Sequence, residues 1–327
     1  MSRCAFLSFR LGQADGVSIV ADSWSRALTN IGFDIVTVAG EGPVDRIVPG
    51  LAIDAVEPPS VGEVELALAD VDLVVVENLL SIPLNLGASR VVATALADRP
   101  ALLHHHDPPW QRDRFEHITE LPPDDHAWRH VAINMLTKGQ MADRGIEATV
   151  IYNGFDTSPA LADRTRSRDA LEVADDELLI AHPVRAIERK NISRAIQIAS
   201  DLGGTYWLLG KAEDGYDDEL ATLLANASCR VIQASTPTRS EIYAAADFVV
   251  FPSKWEGFGN PPIEAAIYRK PVAVGTYPVA SELRALGFDW FDPSDIDGMR
   301  SSIERPNLEM LDRNYRLASE HLSHDVM

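Results

Sequence analysis

The sequence predicts an α/β protein of two parallel-sheet domains that face a central cleft. The chain has 327 residues, which is enough for about two domains. Short apolar runs alternate with helical stretches in both halves, and the turn-rich segment IYNGFDTSP (151–159) interrupts this alternation. We therefore predict a first domain over residues 1–150 and a second over 151–307. A C-terminal helix at about 308–327 is expected to return to the first domain.

The first half begins with an apolar run at 4–9, which predicts a strand. A glycine-containing loop (11–18) follows, and apolar residues then recur at helical spacing up to Ile31, with Gly32 suited to end that helix. The run at 71–77 does not alternate, which indicates a strand buried on both faces. The remaining predicted elements are strands at 33–39, 101–106, 129–134 and 148–152, and a helix over 91–96.

The second half repeats this alternation. Strands are predicted at 178–182, 205–210, 229–234, 247–251 and 271–275, and helices at 193–202, 217–226, 238–246 and 261–269. Consecutive strands joined by helices form right-handed βαβ units, and such units build parallel sheets. Ligands of these sheets bind beyond the carboxyl ends of the strands, so the loops that follow the strands are where chemistry is expected.

Charge and composition exclude several classes of protein. Asp plus Glu number 49 and Lys plus Arg number 29, a net charge of −20, which argues against nucleic-acid binding and docking to an anionic membrane. No apolar run approaches the length of a membrane-spanning helix, so no stable membrane insertion is expected. The N-terminus lacks the apolar core of a signal peptide. Two cysteines on predicted strands, Cys4 and Cys229, are too few for a disulfide scaffold, which predicts a cytoplasmic protein; a homo-oligomer stays open.

The most informative stretch is FPSKWEGFGNPPIEAA (251–266). It follows a predicted strand and passes through a glycine-rich turn into a helix opened by Asn260, a good N-cap, and two prolines. The positive end of a helix attracts anions. Gly257 and Gly259 would let the backbone approach a ligand, because neither carries a Cβ.

Two glutamates lie eight positions apart in this stretch. If both were helical, Glu256 and Glu264 would be about 12 Å apart, wider than the roughly 5–9.5 Å of a glycosidase carboxylate pair. We interpret them as two carboxylates that bind hydroxyls at different points of a polyhydroxylated ligand. Taken singly, each also fits a solvated acid.

The stretch AHPVRAIERKNISRAI (181–196) places cations after a predicted strand. A forked guanidinium at Arg185 and an ammonium at Lys190 suit a diphosphate. Arg189 and Arg194 are also present and rank below them. For an isolated pair of this kind, a solvated helix start would be the better interpretation.

A third stretch, HHHDPPWQR (104–112), also follows a predicted strand. Consecutive histidines point in different directions and lack the usual ligand spacing, so no metal site is predicted. A histidine and an aspartate at a strand tip suit hydrogen bonds to sugar hydroxyls or acid–base chemistry. We favour a mixed interpretation, in which His104 and His105 are structural and His106 is functional. The loop LGQADGVS (11–18) could present amides to an anion but lacks the dinucleotide fingerprint.

Together these stretches resemble the family 4 glycosyltransferases, which have the GT-B fold of two Rossmann-like domains. The string EGFGNPPIE resembles the family's two glutamates separated by seven residues, and RAIERKN resembles its diphosphate motif. VIYNGFD is similar to the hinge that opens the second domain, and HHHD occupies the place of the His–Asp motif. The resemblance covers most of the chain.

The resemblance implies a retaining transfer of a sugar from a nucleotide donor bound mainly by the second domain. Glu256 would contact the donor sugar, Glu264 the ribose, and two cations the leaving diphosphate. The catalytic residues implied are Glu256, His106, Arg185 and Lys190. The donor-binding residues are Gly16, Arg185, Lys190, Gly257, Phe258, Gly259, Asn260 and Glu264, and the acceptor-side residues are His105, Asp107 and Asp15. Neither a bound cofactor nor an essential metal is expected, because arginine and lysine take the metal's place.

The predicted function is therefore a hexosyltransferase that uses a nucleotide-diphosphate sugar, with GDP-mannose or UDP-glucose favoured. The acceptor would be a hydroxyl of a soluble saccharide or small glycoside. Three alternatives stay open: a sugar phosphorylase of the same fold, a non-catalytic nucleotide-sugar-binding protein, and a nucleotide-sugar epimerase.

Overall fold

The computed structural model of the protein describes residues 2–13, 15–236 and 238–327. These residues form two compact units. The first unit comprises Met1–Gly154 together with His324–Met327, and the second comprises Phe155–Ser323. The chain therefore passes between the units twice.

The first unit is built around a parallel sheet. In the described ranges this sheet has seven strands: β1 (Arg3–Arg10), β2 (Asp34–Glu41), β3 (Arg46–Ile47), β4 (Leu73–Glu77), β5 (Ala101–His105), β6 (Trp128–Ala132) and β7 (Ala148–Val150). Their order across the sheet is β3-β2-β1-β4-β5-β6-β7, and neighbouring strands run parallel. The helices are α1 (Gly16–Asn30), α2 (Val61–Ala67), α3 (Leu86–Ala95) and α4 (Met135–Ala142).

The amphipathic pattern of α1 explains its packing. Val20, Trp24 and Leu28 recur at helical spacing and are buried in one apolar cluster with Cys4 and Phe6 of β1. Each fully buried side chain of this size contributes about 1.5–3 kcal/mol of transfer free energy. The helix is therefore held against the sheet, and the loop that joins it to β1 stays at the carboxyl end of that strand.

The second unit contains a smaller parallel sheet. Within the part that the structure describes, it has five strands: β8 (Leu179–His182), β9 (Thr205–Leu208), β10 (Val231–Gln233), β11 (Phe248–Phe251) and β12 (Val272–Val274). Their order is β10-β9-β8-β11-β12. The helices are α5 (Arg164–Asp169), α6 (Ile192–Leu202), α7 (Asp217–Ala225), α8 (Arg239–Ala245), α9 (Asn260–Ile267), α10 (Pro278–Ala285), α11 (Ile296–Glu304) and α12 (Leu308–His321).

A fully buried arginine on α5 connects several of these elements. Arg168 donates hydrogen bonds to the carbonyls of Ala174 (2.6 Å), Ala245 (2.8 Å) and Glu177, and it forms an ion pair with Asp247 at 3.2 Å. Its side chain is 0% exposed. Because Ala245 ends α8 and Asp247 directly precedes β11, this one side chain ties α5 to the entry of a central strand.

The predicted fold class is confirmed, since both sheets are parallel and alternate with helices. The predicted strands are present with ends shifted by two residues at most. No helix formed by the described residues is long and apolar enough to cross a membrane.

Three details differ from the predictions. The strand expected to contain Cys229 begins only at Val231. Helix α9 has Gly259 at its N-cap position with φ 99°, so Asn260 is the first helical residue and does not cap it. The C-terminal helix ends at His321 and packs on α9 in the second unit instead of returning to the first. The last four residues of the chain alone join the first unit.

Candidate active site

A buried carboxylate with two cations lies between β11 and α9. Glu256 is 5% exposed. Lys190 Nζ lies 2.6 Å from Glu256 Oε1, and Arg189 Nη1 lies 2.5 Å from Oε2. Arg189 also donates to the carbonyl of Trp255 at 2.8 Å, which joins the loop after β8 to the loop after β11. The structure thus brings Lys190 and Glu256 together, and it adds Arg189, which ranked lower in the sequence.

The charges of this cluster depend on one another. Burial lowers the pKa of Lys190 to about 8, although the Glu256 carboxylate opposes that shift. Burial also disfavours the ionised form of Glu256, but the charges of Lys190 and Arg189 outweigh it and lower the pKa of Glu256. Two cations therefore face one carboxylate, and the excess positive charge favours an anionic ligand group.

Two buried polar atoms border the same cluster. Within the described residues, neither His182 Nε2 nor Tyr277 Oη has a hydrogen-bond partner. His182 ends β8, and its Nδ1 lies 2.8 Å from Tyr206 Oη. Burial, together with the charge of Lys190, lowers the pKa of His182 to about 3, so this ring is neutral. Because an unpaired buried polar atom is costly, both atoms favour a ligand that supplies polar groups.

The turn that leads into α9 requires a glycine. At Gly259, φ is 99° and a Cβ would lie only 2.4 Å from Tyr277 Oη, so both the backbone and the available space exclude other residues. Phe258 is buried and stacks on Phe155, with ring centroids 6.3 Å apart. Pro261 and Pro262 have no N–H, so neither can donate an amide hydrogen bond to an anion at the first turn of α9.

Arg185 lies outside the hydrogen bonds of the Glu256 cluster. Its Nη1 is 2.6 Å from Glu213 Oε2, and both side chains are partly exposed. The charge of Arg185 still contributes to the lowered pKa of Lys190, which places the two cations near each other. Arg185 is thus a flanking cation that a ligand could recruit by breaking an exposed ion pair.

The second glutamate of the EGFGNPPIE string is buried on α9. Tyr243 Oη donates to Glu264 Oε2 at 2.8 Å, and Arg239 Nε lies 3.3 Å from Oε1. Burial and the nearby carboxylate raise the pKa of Tyr243, so its hydroxyl stays protonated and donates. The ring of Tyr243 stacks on Tyr268 at 4.8 Å. Glu264 is therefore held in one orientation and keeps unused acceptor capacity.

In the first unit, a buried glutamate binds two of the three consecutive histidines. Glu77 ends β4 in register with His104 of β5. Its Oε2 lies 2.8 Å from His106 Nε2 and 3.1 Å from His104 Nδ1. Burial disfavours the carboxylate, but the two histidines lower the pKa of Glu77 to about 2. The ligand atoms of the three residues lie within 4.8 Å of one another, a spacing that could also hold a metal ion.

His105 faces the other side of the sheet. Its Nδ1 is hydrogen-bonded to Ser81 Oγ, and its Nε2 lies 2.9 Å from His130 Nδ1. His130 Nε2 in turn lies 3.0 Å from Asp124 Oδ1. His105 is fully buried, which corrects its assignment to the acceptor side and agrees with the structural role favoured for it. His104 and His106 are buried as well.

The predicted anion loop before α1 is closed by its own aspartate. Asp15 accepts hydrogen bonds from the amides of Val17 (3.0 Å) and Ser18 (3.2 Å), so these donors already have a partner. Gly16 is the first residue of α1, with open space where a Cβ would lie. Asp107 is partly exposed and pairs with Arg112. The amides of Val17 and Ser18 at the start of α1 therefore already donate to Asp15, which removes them as the anion-binding donors that the sequence predicted for this loop.

Comparisons with known proteins extend these observations. The model of the family "Glycosyl transferases group 1" matches residues 163–305. The mannosylglucosylglycerate synthase of Thermotoga maritima is 27% identical, over 90% of this chain and 85% of that protein. The structure of Anabaena Alr3699/HepE in complex with UDP-glucose superposes with a TM-score of 0.78 at 20% identity, over 99% of this chain and 96% of that chain. The structure of WaaG, a glycosyltransferase involved in lipopolysaccharide biosynthesis, superposes with a TM-score of 0.68 at 13% identity, over 97% of this chain and 95% of that chain.

Superposition over nearly the whole chain identifies the fold as GT-B. The family model and the relatives that match most of the chain indicate that the protein is a glycosyltransferase. More narrowly, the residues that match the model of the family "Glycosyl transferases group 1" all lie within the second unit. The resemblance found in the sequence is confirmed at this level.

Sequence reasoning missed partners that lie far away along the chain. Tyr243 and Arg239 come from α8 and reach Glu264 on α9. Glu77 is 29 residues from His106. The available signal for Glu77 was its position at the end of a fully apolar strand, where an acid is unexpected.

Proposed function

We propose that this protein is a retaining, family 4-type glycosyltransferase that moves a hexose from a nucleotide-diphosphate sugar to a hydroxyl of a small glycoside in the cytoplasm. The observation that carries this proposal is the convergence of Lys190 and Arg189 on the buried Glu256 within the group 1 domain. Charge develops on the leaving diphosphate, and cations held in place before the reaction stabilise it without reorganisation.

The roles of the individual residues follow from this arrangement. Lys190 and Arg189, with Arg185 recruited from its exposed pair, would bind the diphosphate. Glu256 would release part of its contact with these cations and accept hydrogen bonds from the donor sugar. Glu264 would bind the ribose hydroxyls, and His106 would bind a sugar hydroxyl from the first unit. These cations would neutralise the leaving group without an essential metal.

The relatives suggest which substrates to test first. The Thermotoga maritima relative is a mannosylglucosylglycerate synthase and matches most of this chain, which favours a mannosyl donor and a glucosylglycerate acceptor. HepE was crystallised with UDP-glucose, which keeps UDP-glucose as the second donor. The retaining outcome rests on the family resemblance and the cytoplasmic location on the low cysteine count, so both are parts of this proposal.

The test combines binding with transfer. GDP, UDP, ADP and CDP and their hexose forms are screened by thermal shift in EDTA, where a ligand at 100 times its Kd stabilises by about 2.7 kcal/mol. The stabilising donor is then incubated with glucosylglycerate, and the anomeric configuration of the product is read by NMR. We expect one nucleotide to stabilise and an α-linked product from an α-linked donor. An inverted product, a metal requirement or sugar-phosphate formation from orthophosphate would each contradict part of the proposal.

Glu264→Gln is expected to weaken donor binding about 10- to 100-fold, because the variant loses charge-assisted hydrogen bonds worth about 1.5–3 kcal/mol. The matched control is Glu320→Gln on the exposed face of α12, which should bind the donor as the wild type does. Isothermal titration of both variants with the stabilising nucleotide measures the difference. Equal affinities in the two variants would remove Glu264 from the donor site.

The pH dependence of the reaction should report the ionisation of Lys190. Because burial lowers the pKa of Lys190 to about 8, the free enzyme loses this cation above that pH. We expect kcat/KM for the donor to be level below about pH 8 and to fall above it, since kcat/KM follows the free enzyme. A bound diphosphate stabilises the charged form of Lys190. The alkaline fall in kcat, which reports the enzyme–substrate complex, should therefore lie at higher pH than the fall in kcat/KM.

Lys270 supplies the control for this pH profile. Burial also lowers the pKa of Lys270 to about 8, but its Nζ donates to the carbonyl of Ala246, away from Glu256. Lys270→Met should keep the alkaline limb of kcat/KM, whereas Lys190→Arg should remove it from the range between pH 7 and 10 if activity remains. If Lys270→Met lost the alkaline limb, the fall in kcat/KM would report the ionisation of Lys270 and not that of Lys190.

A further inference from the structure

The end of β4 holds both the ring and the backbone of His106. Glu77 Oε2 lies 2.8 Å from His106 Nε2. Asn78 Oδ1 accepts the backbone N–H groups of His106 and Asp107, each at 3.1 Å. Asn78 has φ 60°, a left-handed conformation that asparagine adopts more readily than most residues. Two successive residues, the last of β4 and the one that follows it, thus fix the position of this histidine.

The contact with Glu77 also determines where the ring carries its proton. Glu77 is ionised at neutral pH, because the two histidines lower its pKa despite burial. An ionised carboxylate only accepts hydrogen bonds, so the ring nitrogen that faces it must donate. His106 Nε2 therefore carries a proton, and in the neutral form of the ring the lone pair lies on Nδ1.

The other ring nitrogen is available to a ligand. Among the described residues, none is hydrogen-bonded to His106 Nδ1. His104 binds the same carboxylate, with its Nδ1 3.1 Å from Oε2 and 3.2 Å from Oε1. This second histidine restrains Glu77, and the carboxylate in turn restrains His106. The direction of the Nδ1 lone pair is thus set by side chains packed in the interior of the first unit.

We propose that Glu77 is a positioning residue for the transfer reaction, which fixes the Nε2–H tautomer of His106 so that Nδ1 accepts a hydrogen bond from a hydroxyl of a sugar substrate. This inference rests on the proposed function, because it assumes a sugar at His106. Without the carboxylate, the ring can exchange its tautomer and rotate, and it can present an N–H where an acceptor is needed.

The kinetic test is a double-mutant cycle on kcat. Glu77→Gln should lower kcat about 100-fold, less than the roughly 10⁴-fold that a wrong tautomer costs in a hydrolytic triad, while nucleotide affinity stays unchanged. In a His106→Ala background, the same substitution should change kcat less than about twofold, since its effect passes through that ring. Asp124→Asn is the matched control, because Asp124 accepts from His130 on the opposite face of the sheet; its kcat should equal that of the wild type.

Two outcomes of the cycle would overturn the inference. Additive effects of Glu77→Gln and His106→Ala would mean that Glu77 acts on the fold or through His104. An equal fall in Asp124→Asn would mean that any buried histidine network in this unit affects the reaction. Thermal unfolding of each variant separates a loss of folded protein from a loss of turnover.

A second measurement does not depend on activity. Long-range proton–nitrogen NMR spectra, with the His106 signals assigned by His106→Gln, should show the Nε2–H tautomer in the wild type and a mixture in Glu77→Gln. An Nδ1–H tautomer in the wild type would overturn the inference. So would a stoichiometric metal ion in the purified protein that is lost in His106→Gln, because the metal would then replace the ring proton. If no donor and acceptor react, the proposed function fails while this test of the Glu77–His106 contact stands.

Discussion

Replacing Lys190 by methionine is expected to lower the transfer rate at least about 100-fold, the usual effect of removing one preorganised donor to a developing anion. The same substitution should lower the free energy of unfolding by about 3 kcal/mol, because it leaves a buried carboxylate short of its partner. Glu256 is 5% exposed, and its other cation is Arg189. Glu256→Gln should also lower the transfer rate and the free energy of unfolding, because it leaves the buried Lys190 without its carboxylate.

The double variant Lys190→Met/Glu256→Gln separates the two effects. It removes both charges together, so its free energy of unfolding should return to within about 1 kcal/mol of the wild type. Its transfer rate should stay as low as that of the single variants, since neither cation nor carboxylate is restored. Urea unfolding and initial-rate assays on the same preparations measure both quantities.

An exposed ion pair provides the control. Arg230 donates to both carboxylate oxygens of Glu177, and its side chain is 45% exposed. Arg230→Met should change the free energy of unfolding by less than about 1 kcal/mol and leave transfer unchanged. Near-normal turnover in Lys190→Met would exclude Lys190 from the reaction, and a double variant no more stable than either single one would exclude the buried pair as the source of the loss.

Arg168→Met is expected to lower the free energy of unfolding by about 3 kcal/mol, because it removes a fully buried guanidinium from its ion pair with the partly buried Asp247. It also leaves the carbonyls of Ala174 and Glu177 without this donor. Methionine fills most of the volume, so the loss is mainly polar. The measurement is urea unfolding, with a two-state fit used only where fluorescence and circular dichroism transitions coincide.

Arg164 offers a comparison at the same carboxylate. Its Nη2 lies 2.6 Å from Asp247 Oδ1, but its side chain is 40% exposed. Arg164→Met should therefore lower the free energy of unfolding by less than about 1 kcal/mol. Equal losses in the two variants would show that burial does not govern the strength of this network.

Local sequence signals were sufficient for the regular fold. Strands could be predicted because their apolar runs are continuous and the helices between them keep a clear period. Five helices of six to nine residues escaped prediction: α2, α4, α5, α10 and α11. Strand β3 has two residues and depends on its pairing with β2.

Prediction of the site was limited by contacts between distant segments. Lys190 and Glu256 were found because each follows a strand in a recognisable string. Arg189 ranked lower because it shares a 3₁₀ turn, Glu188–Lys190, with Lys190, and sequence does not tell which neighbours face inward there. Glu77 was missed because its partners lie on a neighbouring strand, and a single sequence does not give the order of strands in a sheet.

The three consecutive histidines have a genetic consequence. His104 and His106 bind Glu77 on one side, while His105 belongs to a separate network on the other. Loss of any one of the three codons yields the same shortened protein, in which Asp107 takes the third place and brings a carboxylate towards Glu77. The tract is therefore constrained in its length as strictly as in its composition, and an in-frame deletion of one histidine codon should be as harmful as the replacement of His106 itself.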